Sequence, residues 1–252
     1  MSTPVTAAIL IIGNEILSGR TKDANLSFLA TSLNELGIQV REARVIPDLE
    51  DVIIHTLNHL RSQFDYVFTT GGIGPTHDDI TASCVAKAFG LEFGLNDDAH
   101  AMLKSHYKPE DLNEARLRMA HTPKGAILIE NPISKAPGFQ VENVFVLAGV
   151  PKITCAMFDN LKDRLKGGAT VQSATLTTDL TEGVIAQKLG DIQDQFTDID
   201  IGSYPYFKEG AFGVSLVLRG TDENRVDQCQ TTVKEMIESL GGKVIYIKSL
   251  EV

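Results

Sequence analysis

Tyr66-Val67-Phe68-Thr69-Thr70-Gly71-Gly72-Ile73-Gly74-Pro75-Thr76-His77-Asp78-Asp79-Ile80-Thr81 passes from a short apolar run into a glycine-rich loop, and residues 80–89 then carry a helical pattern that Gly90 stops. A loop of this composition between a strand and a helix lets backbone N–H groups face an anion. It is neither a P-loop nor a GxGxxG fingerprint, because no Lys-Ser/Thr pair follows and the spacing differs. The same residues also read as a tight turn in which Thr76 caps the next helix, with Asp79 three positions on in a capping-box-like arrangement. Adjacent Asp78 and Asp79 supply more acid than a cap requires.

Upstream, residues 6–12 form a β-branched apolar run ended by Gly13, which suits a buried parallel strand. Leu26, Leu29, Leu33 and Leu36 then repeat at helical spacing, with Asp23 or Asn25 as N-cap and Gly37 as stop. Residues 38–46 read as a second strand ending at Pro47, and Val52, Ile53, Leu57 and Leu60 as a second helix. Alternating strands and helices imply parallel pairing through right-handed crossovers. Downstream, 97–107 and 113–120 read as helices, 138–141 with 144–148 as a hairpin, and 153–165 as a closing helix. A composition break at 166–169 reads as a linker between a domain at 1–166 and a smaller one at 170–252. The smaller one reads β-α-β-β-α-β, with strands at 171–178, 199–207, 212–218 and 243–247, helices at 182–195 and 224–240, and a turn at 208–210.

Ligands of open parallel sheets bind outside the carboxyl ends of the strands. Those ends carry Gly13-Asn14-Glu15 with Gly19, Asp23 and Asn25; Pro47-Asp48; and the loop from Gly71 to Thr81. Acids beside a phosphate loop repel a bare anion, and a hard cation such as Mg²⁺ resolves the conflict by bridging carboxylate and phosphate. Glu15, Asp48, Asp78 and Asp79 are therefore the candidate metal ligands or bases, although Asp48 taken alone reads as a helix cap. Pro137, Gly138 and Phe139 read either as a further pocket wall or as ordinary hairpin punctuation. His77 lies within reach of a phosphate on the loop, whereas His55 and His59 read as a solvated helix face.

The 252 residues include 23 basic and 33 acidic ones, a formal net charge of −10, which argues against a nucleic-acid-coating protein. No apolar run near the start approaches the ~20 residues of a membrane span, and no basic segment precedes it, so neither a membrane anchor nor a secretory signal is expected. Three scattered cysteines fit no disulfide framework or CxxC zinc site. Cytoplasmic localisation is the expectation.

At residues 46–48, 69–75 and 79–81 the chain resembles the molybdopterin-binding-like (MoCF) domain of molybdenum-cofactor biosynthesis proteins of the MogA/MoaB type. Residues 13–17 with Gly19, Asp23 and Asn25, then 71–79, 136–139 and 149–151, resemble more closely the amino-terminal domain of the CinA (competence/damage-inducible) family and the corresponding domain of FAD synthases. The resemblance implies a MogA-like α/β three-layer sandwich with a mostly parallel sheet, then a small ferredoxin-like or KH-like α+β domain. In the cofactor branch it implies molybdopterin binding and adenylylation, with Asp48 and Asp79 at the two acidic positions. In the CinA and FAD-synthase branch it implies a pyrophosphatase for ADP-ribose or FAD, stimulated by a divalent metal (Mg, Mn or Co) and by K⁺. Ile73 and Gly13-Asn14-Glu15 depart from the cofactor branch and favour the second. On that reading Asp48, Asp79 and Glu15 are catalytic, Asp48, Asp78 and Asp79 hold metal, and Gly13, Asn14, Gly19, Asp23, Asn25, Gly71, Gly72, Gly74, Pro75, Thr76, Thr81, Pro137 and Gly138 bind substrate. The expected partners are a nucleotide or pterin ligand, and further copies of the chain in a dimer or trimer, but neither nucleic acid nor membrane. The sequence ends at Val252 without a segment resembling the amidohydrolase domain of CinA or the FAD-making domain of FAD synthase, so neither activity is expected of these residues.

Overall fold

A computed structural model describes residues 4–208 and 210–251. Two compact units meet between Gly168 and Ala169. The first runs β1 (Val5–Ile12), α1 (Asn14–Leu17), α2 (Asn25–Glu35), β2 (Ile38–Ile46), α3 (Glu50–Gln63), β3 (Tyr66–Thr70), α4 (Thr81–Phe89), β4 (Phe93–Leu95), α5 (Asp97–His106), α6 (Glu114–Leu117), β5 (His121–Pro123), β6 (Ile127–Ile129), β7 (Gly138–Val141), β8 (Val144–Leu147) and α7 (Pro151–Leu161). Six strands form one sheet in the order β2-β1-β3-β8-β7-β6, parallel from β2 to β8 and antiparallel beyond it.

Alternation along β1 sets the layers. Ala8, Leu10 and Ile12 pack with Ile53 and Leu57 of α3 and Val85 of α4, while Ala7, Ile9 and Ile11 pack with Leu29 and Leu33 of α2 and Met157 and Phe158 of α7. Both faces are covered, which is why β1 reads as an unbroken apolar run. From β1 the chain winds outward to β2, then returns to place β3 on the opposite flank of β1. The crevice at the carboxyl ends of β1 and β3 is therefore a topological switch point. The buried thiols of Cys84 and Cys229 are both pushed up to about 11 by desolvation, and both belong to apolar cores. His55 and His59 are exposed on α3.

The helix expected over 113–120 is broken: α6 is one turn, and Arg118–Ala120 tightens to 3-10 geometry before β5. β4 and β5 pair antiparallel as a separate two-stranded ribbon, which local pattern did not reveal.

The second unit runs β9 (Gln172–Thr178), α8 (Glu182–Gln195), β10 (Asp200–Lys208), β11 (Ala211–Gly220), α9 (Glu223–Ser239) and β12 (Val244–Glu251). Its sheet order, β10-β11-β9-β12, is antiparallel throughout, the split βαβ arrangement. Ile185 and Ile192 of α8 and Val226, Val233 and Ile237 of α9 cover Ala174, Leu176 and Leu216 on one face. Glu209, at the centre of the turn expected over 208–210, lies outside the described residues.

Candidate functional site

At the switch point the backbone is drawn tight. Gly71 leaves β3 with φ 101°, and a Cβ there would lie 2.1 Å from the Ile12 carbonyl oxygen. Its N–H donates to the Leu147 carbonyl at 3.2 Å, tying the loop to β8. Gly72 abuts the Thr81 hydroxyl, where a Cβ would fall 2.1 Å away, and its carbonyl accepts from the Thr81 N–H at 2.9 Å. Gly149 touches Gly71 from the β8 side, and the Asn25 amide donates to the Gly149 carbonyl at 2.7 Å. Asn25, Gly149, Gly71, Gly72 and Thr81 thus form one continuous chain of contacts across the edge.

Four buried polar atoms along this edge have no protein partner among the described residues: Asn25 Oδ1 and the hydroxyls of Thr69, Thr70 and Thr81. The carbonyl facing the Asn25 amide nitrogen fixes which of its two terminal atoms remains free. Unpaired buried polar atoms are uncommon and mark a place where a partner is missing. Asn25→Ala removes the bond to exposed Gly149; the expected cost is about 0.5–1.5 kcal/mol of stability, read as a lower urea midpoint. An unchanged midpoint would show that Asn25 does not brace the edge.

The acids divide into two groups. Asp48 accepts from the Asn14 N–H at 2.9 Å, and the Glu15 carboxylate folds over Gly13, where a Cβ would meet its Oε1 at 2.6 Å. Both stand on the β1–β2 side. Asp79 stands on the β3 loop, where Oδ2 accepts from the Thr76 N–H at 2.8 Å and from the Thr76 hydroxyl. Thr76 is therefore not the cap of α4; that helix starts at Thr81 with Ile80 as its N-cap and no side-chain cap bond. The acid closes the loop instead. Exposed Asp78 is held below the usual carboxylate range, first by the adjacent Thr76 side chain, then by its own backbone, and least by His77. The Thr76 hydroxyl proton itself goes to Asp79 by geometry. Asp23 Oδ1 accepts from the Leu26 N–H at 2.8 Å and so serves the first turn of α2. Gly19 ends the turn after α1, its N–H bonded to the Ile16 carbonyl at 3.0 Å.

Asp79 and Gly74 open into a cleft of about 240 Å³ that Pro137 and Phe139 also line. Pro75 is half-buried in the adjoining loop, and Gly138 sits buried between those two wall residues. Phe93, Arg118 and His121 complete the cleft. These three were not singled out from sequence, since the segment from β4 to β5 reaches the loop only through the ribbon. Arg118 is exposed, and no carboxylate lies within ion-pair distance of it among the described residues. Asp48 and Glu15 do not line the cleft. The β2 and β3 ends are two strand spacings apart, roughly 10 Å at ~4.8 Å each.

Among the described residues no three Asp, Glu, His or Cys side chains gather to hold a metal. The donor set does fit a cation that arrives with phosphate: Mg²⁺ typically takes one or two carboxylates and completes its shell with phosphate and water. Asp79, whose second oxygen is not used by Thr76, and neighbouring Asp78 would be those carboxylates.

A doubly wound α/β domain with a glycine–aspartate loop at its switch point, followed by a split βαβ domain, is the class these features define. The chain belongs to the family described as "Probable molybdopterin binding domain", which matches residues 8–167; residues 170–243 match "FAD synthase, middle domain". A "Probable FAD synthase" of Caenorhabditis elegans is 35% identical over 97% of this chain and 51% of that protein, so the chain spans about half the length of that relative. Protein Ta0487 of Thermoplasma acidophilum is 31% identical, covering 94% of this chain and 98% of its own. The crystal structure of the protein CinA from Thermoplasma acidophilum, described as of unknown function, superposes with a TM-score of 0.61 at 36% identity, covering 64% of this chain and 99% of that one. The fold is MogA-like, and among the described residues no helix is long and apolar enough to cross a membrane.

Proposed function

We propose that this chain is a divalent-metal-dependent hydrolase of the pyrophosphate bond in an adenine dinucleotide such as ADP-ribose or FAD. The observation that carries this reading is the cleft itself, lined by Gly74 and Asp79, by the rings of Phe93 and Phe139, and by the guanidinium of Arg118, which has no carboxylate partner among the described residues. Asp78 and Asp79 would hold a divalent cation, which when bound would supply charge neutralisation and Lewis acidity. The loop N–H groups and Arg118 hold the phosphates, the guanidinium by its planar fork. Asp48 or Glu15, across the edge, orients or deprotonates the attacking water; cation, phosphate and water together, rather than the diphosphate alone, would bridge the roughly 10 Å between strand ends. No serine or cysteine nucleophile is needed.

The test is the purified chain with Mg²⁺, Mn²⁺ or Co²⁺ and K⁺, offered ADP-ribose, FAD, NAD and ATP and scored for AMP. Metal-dependent AMP release from ADP-ribose or FAD is expected. AMP transfer from ATP to a pterin, with no hydrolysis, would instead favour molybdopterin binding and adenylylation, of which the family description names the binding. Binding without product would leave a non-catalytic nucleotide module.

A further inference from the structure

We infer that the outer half of the cleft is a base-recognition pocket that selects a 6-amino-purine ring over its 6-oxo counterpart, with Phe93 as stacking face and His121 as hydrogen-bond acceptor. The inference rests on the nucleotide reading above and adds to it the atoms by which the 6-amino ring is told from its 6-oxo counterpart. Phe93 and His121 stand on one face of the β4–β5 ribbon, where Leu95 pairs with His121 and Phe93 with Pro123. Their ring centroids are 5.9 Å apart with planes tilted by 41°. Phe93 is 43% exposed although it borders a cleft, a large apolar ring left open where a second flat ring gains by stacking on it. At about 240 Å³ the cleft falls below the ~300–1,000 Å³ of pockets that enclose a whole drug-sized ligand. It therefore takes one ring system, with the phosphates outside it at Gly74 and Asp79.

The choice of ring follows from a tautomer. His121 Nδ1 lies 3.0 Å from the Leu117 carbonyl oxygen. A carbonyl only accepts, so Nδ1 carries the proton, and Nε2 of the neutral ring is left as a lone-pair acceptor. An acceptor welcomes an exocyclic amino group and faces a carbonyl lone pair to lone pair. The Ser83 hydroxyl on the α4 side does not compete as a donor, since it already donates to the Ile80 carbonyl at 2.9 Å. Arg118 is a donor only, and it serves the phosphates.

AMP and IMP differ at this position and in the proton that only IMP carries on N1, and neither holds an anhydride to hydrolyse, so calorimetry with each tests the pocket without turnover. AMP is expected to bind about tenfold more tightly than IMP, and His121→Asn, which keeps a donor for Leu117 but removes Nε2, to bring the ratio below about threefold. Phe93→Ala is expected to weaken both nucleotides alike and keep the ratio, as is Arg118→Gln. Equal affinities in the unaltered chain, or an undiminished ratio in folded His121→Asn, would overturn the inference. Preference for AMP in a chain that releases none from dinucleotides would leave the pocket standing and sink the hydrolase; hydrolysis of the inosine and adenosine dinucleotides at equal rates would do the reverse.

Discussion

Asp79→Asn is expected to lower metal-dependent AMP release by about 10³-fold, roughly 4 kcal/mol of transition-state stabilisation at 1.36 kcal/mol per decade, with little change in melting temperature. Asparagine still presents an oxygen to the Thr76 N–H and hydroxyl, the two bonds that close the loop at present. Only the charge that would hold a cation is lost. Asp79→Ala removes both charge and bonds, so it should lose activity equally and a little stability besides, about 0.5–1.5 kcal/mol, since the exposed Thr76 donors turn to water. Steady-state kinetics beside thermal melts separates the two contributions. Wild-type turnover by folded Asp79→Asn would show that the carboxylate braces the loop and takes no part in the reaction.

Gly71→Ala should produce the largest stability loss of any single methyl addition on the sheet edge. The added carbon would sit 2.1 Å from the Ile12 carbonyl oxygen, at a φ of 101° that side chains rarely adopt. The neighbour is backbone of the central strand, packed on both faces, and has nowhere to move. A left-handed residue costs about 1–2 kcal/mol and overpacking about 1–3 kcal/mol more. The sum, roughly 2–5 kcal/mol, is a large share of the ~5–15 kcal/mol that holds a domain together. Urea denaturation followed by circular dichroism reads this directly. A midpoint within error of the unaltered protein would mean that β1 yields at its carboxyl end, and that the tight edge is not rigid.

Much of the scaffold was legible because glycine and proline punctuate it. β2 ends at Ile46 before Pro47, β3 ends at Thr70 before Gly71, and α8 spans Glu182–Gln195, each at the bounds read from sequence. The approach of Gly13, Asp48 and the Gly71 loop follows from neighbouring parallel strands ending at one edge. Three features had no local signal. The β4–β5 ribbon joins two three-residue strands from distant segments, too short for any periodicity. Arg118 and His121 therefore looked like members of an ordinary helix and its flank. Thr76 carried the spacing of a cap, yet its partner acid turned back onto the loop, a choice made by the space that Gly74 leaves for the Asp79 carboxylate.

That ribbon has an implication for how such a domain diversifies. The proposed anion grip belongs to the frame itself, at strand termini that cannot shift without unseating the interior. The Phe93 and His121 wall hangs outside that frame on a hairpin-like appendage, answerable to little but its own pairing and its seat on α4. Exchanging this appendage between homologues would swap the clientele of the domain while its chemistry stayed put.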